Sequence, residues 1–152
     1  MTRFALEKFW SAAREAVPAL PVRMPAPWSF GATSDHADEL LALVLDGTKT
    51  ATASALWDIE ADDEPVPQVG EASIILDGRN RPRAVIVTTA VEIVAFSAVD
   101  AAHAHSEGEG DRTLREWRED HEQFWRCYGQ SNRAFSSDMP VVCERFELVF
   151  AV

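Results

Sequence analysis

One lysine stands among hydroxyls and small side chains in Gly47-Thr48-Lys49-Thr50-Ala51-Thr52-Ala53-Ser54. An amine in such a setting can bring a cation to a cleft, or a base whose pKa burial has lowered. Thr52 could then serve as a nucleophile or as an orienting hydroxyl. A plainer reading is also open: Thr belongs in strands, Ala suits a crowded sheet, and Lys49 is solvated. Geometry limits the chemical reading. Residues three apart on a regular strand face opposite ways, so Lys49 and Thr52 meet only if Lys49 sits in the turn or the strand entry is bulged.

A second group of chemistry-bearing residues is Ser106-Glu107-Gly108-Glu109-Gly110-Asp111-Arg112. Glycines on both sides of Glu109 place its carboxylate on a sharply bent backbone just before a helix start. Three acids there can simply answer the helix dipole. Alternatively one of them, Glu109 before the others, faces the cleft as acid or base. His103 and His105 precede the acids and give H-x-H-x-E-x-E, but no distant ligand set completes a tetrahedron, so no metal is expected. Ser, His and Asp occur without a nucleophile-elbow motif. Neither GxGxxG nor GxxxxGK[ST] is present, so no nucleotide cofactor is implied.

The elements that must position these residues follow from periodicity. Phe4, Leu6, Phe9, Trp10, Ala13 and Val17 form one helical stripe, and the prolines from Pro18 to Pro27 make a connector. A helix is expected from Ser34 or Asp35, its buried face formed by Leu40, Leu41, Val44 and Leu45, with Gly47 as its stop. A strand over Lys49 to Leu56 comes next, followed by an exposed acidic loop from Trp57 to Gly70. Ala72 to Leu76 reads as a short strand, Asp77-Gly78 as a turn, and Arg83 to Phe96 as a long β-branched strand with both faces partly buried. Ser97 to Ala104 reads as a short helix capped by Ser97. Thr113 and Glu116 head a helix striped by Leu114, Trp117, His121, Phe124 and Trp125. Val141 to Phe150 alternates as a closing strand. Strands and helices without a βαβ rhythm predict an α+β fold with a small barrel or curled sheet.

Composition bounds the function. The chain has 152 residues, enough for one domain with a real core. Its net charge of −11 and pI near 4.7 disfavour broad binding to long duplexes, which depends on Lys and Arg. Screening still leaves room for a local basic cleft. Glu7, Lys8, Arg14 and Glu15 interrupt the first apolar stretch, so neither export nor a membrane span is indicated and a cytoplasmic location is expected. Cys127 and Cys143 lack any paired spacing and read as two reduced thiols, with Cys143 buried in a strand.

Taken together, the early FW helix, W-x-F-G, LVLDGTKTATASALW, EGEGDRTLREWR and the terminal VVCERFELV resemble the ASCH-domain family over nearly the whole chain. The resemblance implies a PUA-like small mixed β-barrel with flanking helices, spanning 1–152 as a single domain with an N-terminal helical extension. It also implies a cleft for a nucleoside or single-stranded RNA. Some small ASCH proteins look like amidohydrolases of acetylated cytidine nucleosides that use Lys, Thr and Glu, and others act on or bind RNA. Carried over, those catalytic residues are Lys49, Thr52 and Glu109, with Glu107 the other possible acid. Thr50, Ser54, Trp57 and Arg112 are the expected substrate contacts. The chain departs from the K-T-x-T-x-R pattern, having Ser54 where the Arg would stand. A non-catalytic RNA-binding module and an acidic-surface interaction domain are the alternative readings.

Overall fold

The computed structural model describes residues 2–152. In chain order the elements are α1 (Arg3–Ala16), β1 (Pro27–Trp28), α2 (Ser34–Leu45), β2 (Ala51–Ala55), α3 (Leu56–Ala61), β3 (Ala72–Leu76), β4 (Pro82–Ala95), α4 (Ala101–Glu107), α5 (Leu114–Tyr128) and β5 (Pro140–Ala151), with a 3-10 turn at Phe96–Ala98. The strands form one five-stranded sheet in the order β1-β3-β4-β5-β2. Only β1 against β3 is parallel; the other ladders are antiparallel.

The expected barrel does not close. β1 and β2 are the two edges of the sheet, and β1 is only two residues long. The first half of β4 is nonetheless buried on both faces, for a different reason. Ile74, Leu76 and Val85 pack with Phe9, Trp10 and Ala13 of α1 on one face. Ile75, Ala84 and Ile86 pack with Leu40, Leu41 and Val44 of α2 on the other. Helices on both sides bury successive residues of a strand as well as barrel closure would, because side chains alternate across the sheet.

A third cluster fills the end of the sheet nearest the site. Trp117 and Trp125 of α5 meet Phe96, Val99, Ala55, Val141 and Cys143. Burial pushes the Cys143 thiol up to about 12, so it stays a protonated core residue.

Three local expectations are corrected. Thr33, not Ser34 or Asp35, caps α2, its hydroxyl accepting from the His36 N–H at 3.2 Å. Asp100, not Ser97, caps α4, accepting from the His103 N–H at 2.8 Å, so this helix runs on to Glu107. The segment expected as an exposed loop from Trp57 begins instead as α3, whose Trp57 packs at the rim of the third cluster. No helix among the described residues is long and apolar enough to cross a membrane.

Candidate active site

Lys49 belongs to the turn, since β2 begins only at Ala51. The turn is stitched to the end of α4: the Thr50 N–H donates to the Ser106 carbonyl at 2.8 Å, and the Thr50 hydroxyl reaches the same oxygen at 3.3 Å. Gly108 makes the approach possible. It takes φ +73° as the C-terminal stop of α4, and a Cβ there would lie 2.6 Å from the Thr48 carbonyl oxygen.

The stitching drives the lysine side chain inward. Lys49 is 2 % exposed, and its Nζ donates to Glu109 Oε2 at 2.8 Å and to the Ala51 carbonyl at 2.9 Å. Glu107 Oε1 lies 3.6 Å away, and the Phe30 ring centroid is 5.4 Å from the amine. A buried ammonium is tolerated only when paired and hydrogen-bonded, and here both conditions are met.

Glu107 is the hub behind this amine, and at 1 % exposure it is drier still. Its Oε2 accepts from Trp117 Nε1 and pairs with His103 Nε2, each at 2.6 Å. Its Oε1 faces His121 Nε2 at 3.3 Å. Burial alone would raise this carboxyl's pKa. The charge of His121, hydrogen bonds from His103 and His121, and the charge of Lys49 together hold it well below the usual carboxylate range. His121 stacks on Trp117 at 4.1 Å, and its other nitrogen, Nδ1, lies 2.8 Å from the Trp117 carbonyl. Both ring nitrogens thus face acceptors, which a doubly protonated ring satisfies. Burial opposes that charge, but Glu107 outweighs it and raises the imidazole's pKa.

These groups share one cavity of about 370 Å³, lined by Lys49, Thr52, Glu107, Glu109 and His121 at its polar end. Phe30, His36, Phe124 and Tyr128 form its aromatic walls. The structure therefore brings Lys49, Thr52 and Glu109 to one hollow. It does not bring the expected substrate contacts there: Thr50, Ser54, Trp57 and Arg112 are not among the cavity-lining residues. Thr50 is spent on Ser106, and Ser54 pairs with Val142 in the sheet. Trp57 lines a separate hollow, and the Arg112 Nε donates to the His105 carbonyl at 3.0 Å.

Glu107, Glu109 and His121 also bring ligand-type atoms within 4.8 Å of one another. The Lys49 ammonium already takes up both carboxylates, and a divalent ion would have to expel it. The donor set does not fit a resident metal.

A model of the ASCH domain matches residues 26–150. The chain belongs to the ASCH family. A crystal structure of protein EF3133 from Enterococcus faecalis V583 is similar to it at 36% identity and TM-score 0.88, covering 97% of this chain and 90% of that one. An ASCH domain from Lactobacillus crispatus JV V101 is similar at 27% identity and TM-score 0.84, covering 97% of this chain and 96% of that one. No curated protein matches the chain. α1 lies outside the residues that the ASCH model matches, yet it seals one face of the sheet.

Proposed function

We propose that this ASCH protein is a hydrolase that removes an acyl group from a modified nucleoside, free or within a short single-stranded RNA segment. One observation carries the reading: the Lys49 amine sits 2.8 Å from Glu109 Oε2 in a cavity that Thr52 also lines. The aromatic walls suit a planar base, because any base offers a π-face for stacking. The acidic surface favours a small or locally held substrate over a long polymer.

In amide hydrolysis the Thr52 hydroxyl orients a water that adds to the acyl carbon, or adds itself to form an acyl-threonine ester that a water then cleaves, restoring the hydroxyl. Lys49 stabilises the negative charge that develops on the carbonyl oxygen. Glu109, a quarter exposed and so in reach of substrate, takes the proton from the nucleophile and returns it to the departing amine. The acyl group leaves as a carboxylic acid and the base regains its amino group. Glu107 holds Lys49 in place from behind.

N4-acetylcytidine incubated with the wild type and with Lys49→Ala, followed by chromatography of cytidine, tests the reading. Turnover by the wild type and a loss of about 10²–10⁴-fold in the variant are expected. Equal turnover by both removes the catalytic role. Saturable binding of RNA without product would instead make the chain an RNA-reading module.

A further inference from the structure

In a chain carrying −11 net charge, a place where arginines gather on aromatic faces stands apart. A second hollow, of about 270 Å³, shares Trp125 as a wall with the first. Trp57, Arg126, Arg133 and Phe135 line it. The Arg133 guanidinium lies 5.0 Å over the Trp57 ring, and that of Arg126 lies 4.9 Å over Phe135. Stacking holds a guanidinium by its face and leaves its N–H edge available, the arrangement that suits bidentate recognition of an oxyanion.

The donors are indeed available. Among the described residues Arg126 uses only its Nε, on Glu122 at 2.9 Å. Among the described residues the Arg133 side chain makes no hydrogen bond or ion pair. Asp58, the carboxylate on the same wall, is committed elsewhere: its Oδ1 accepts the backbone N–H groups of Gln130 and Ser131 at 2.9 and 3.1 Å. Glu122 answers the charge of Arg126, and Asp58 lines the same hollow. Binding there depends on direct forked contacts.

We propose that this hollow binds the phosphate of a nucleotide whose base occupies the first cavity, so that the preferred substrate is phosphorylated. This deepens the proposed function and rests on it. The phosphate could belong to a free nucleoside monophosphate or to an RNA strand. Both present the same oxyanion to Arg133 and to the terminal nitrogens of Arg126.

The test uses the whole chain labelled with ¹⁵N, titrated separately with inorganic phosphate, cytidine, cytidine 5′-monophosphate and a short cytidine-containing oligonucleotide. Inorganic phosphate should shift the Arg133 side-chain and Trp57 indole N–H signals. The monophosphate or the oligonucleotide should bind about tenfold or more tighter than cytidine, and whichever shows the greater gain identifies the source of the phosphate. Arg133→Ala, at an exposed position, should erase that gain and leave cytidine binding unchanged, while Arg133→Lys restores part of it. Signals of Arg133 and Trp57 that ignore millimolar phosphate overturn the proposal. So does a loss in Arg133→Ala that falls equally on cytidine and its phosphate. If phosphate shifts these signals while cytidine shifts none in the first cavity, the anion site stands and the nucleoside reading falls.

Discussion

Two carboxylates are almost equally buried, Asp77 at 2 % and Glu107 at 1 % exposure, yet they serve different ends. Asp77 accepts the backbone N–H groups of Arg79 and Arg81 at 2.9 and 3.0 Å, and the Arg81 side chain at 2.8 Å. Its partners are local, and its arginine cation projects into solvent. Burial would raise its pKa, but those backbone and side-chain donors lower it below the ordinary carboxylate value. Glu107 draws instead on side chains from the turn before β2, from α4 and from α5, all of them buried or nearly so. A buried acid answered by backbone and exposed arginine closes a turn. One answered by buried side chains from three parts of the chain, at a cavity wall, fixes a site.

Neutralising each acid should sharpen this contrast. Glu107→Gln takes from the buried His121 its carboxylate partner, leaves Lys49 with Glu109 alone, and should cost about 3–5 kcal/mol. Asp77→Asn keeps most of its turn and should cost about 1–2 kcal/mol. Midpoints of urea unfolding compare the two, and equal losses would erase the distinction.

Gly108→Ala comes next in size. It forces a Cβ onto φ +73° and against the Thr48 carbonyl, and should cost about 1–3 kcal/mol. The same variant should also weaken Lys49-dependent turnover, because the stitched turn moves; unchanged turnover would detach the turn from the site.

The smallest effect is in the pH dependence. The folded pKa of His121 is raised above its ordinary value near 6.5, so its stabilisation is complete below that pH and fades as pH climbs through the raised value. Glu107, depressed, contributes above about 4.5 and loses its contribution as pH falls through its folded value. Stability should therefore be greatest between roughly 4.5 and 6.5 as far as this pair is concerned. His121→Asn should flatten the alkaline side of the profile, and an unaltered slope there would count against a charged imidazole.

Much of this was legible in the chain. The stripes of α1, α2 and α5 and the long strands came from periodicity, and Lys49, Thr52 and Glu109 were marked as candidates by motif and residue type. The open sheet was hidden, because a strand buried on both faces reads alike whether a barrel or two helices cover it. The central role of Glu107 is concealed for a local reason. With the helix before it drawn to end at Ala104, His103 and Glu107 lose the i, i+4 spacing that pairs them. Trp117 and His121 show the same spacing on α5, yet an apolar stripe conceals a histidine and an indole that both turn toward a carboxylate. The full length of α4 reveals the first pair, His103 with Glu107, and leaves the second concealed.

The two thiols behave as chemical opposites. Cys143 is buried and kept protonated, whereas Cys127 is exposed on the helix that borders the cavity. A maleimide reagent applied to the native protein should therefore attach at one position without any engineering. A fluorophore carried there would stand at the entrance and report occupancy directly, while a bulky adduct would obstruct it.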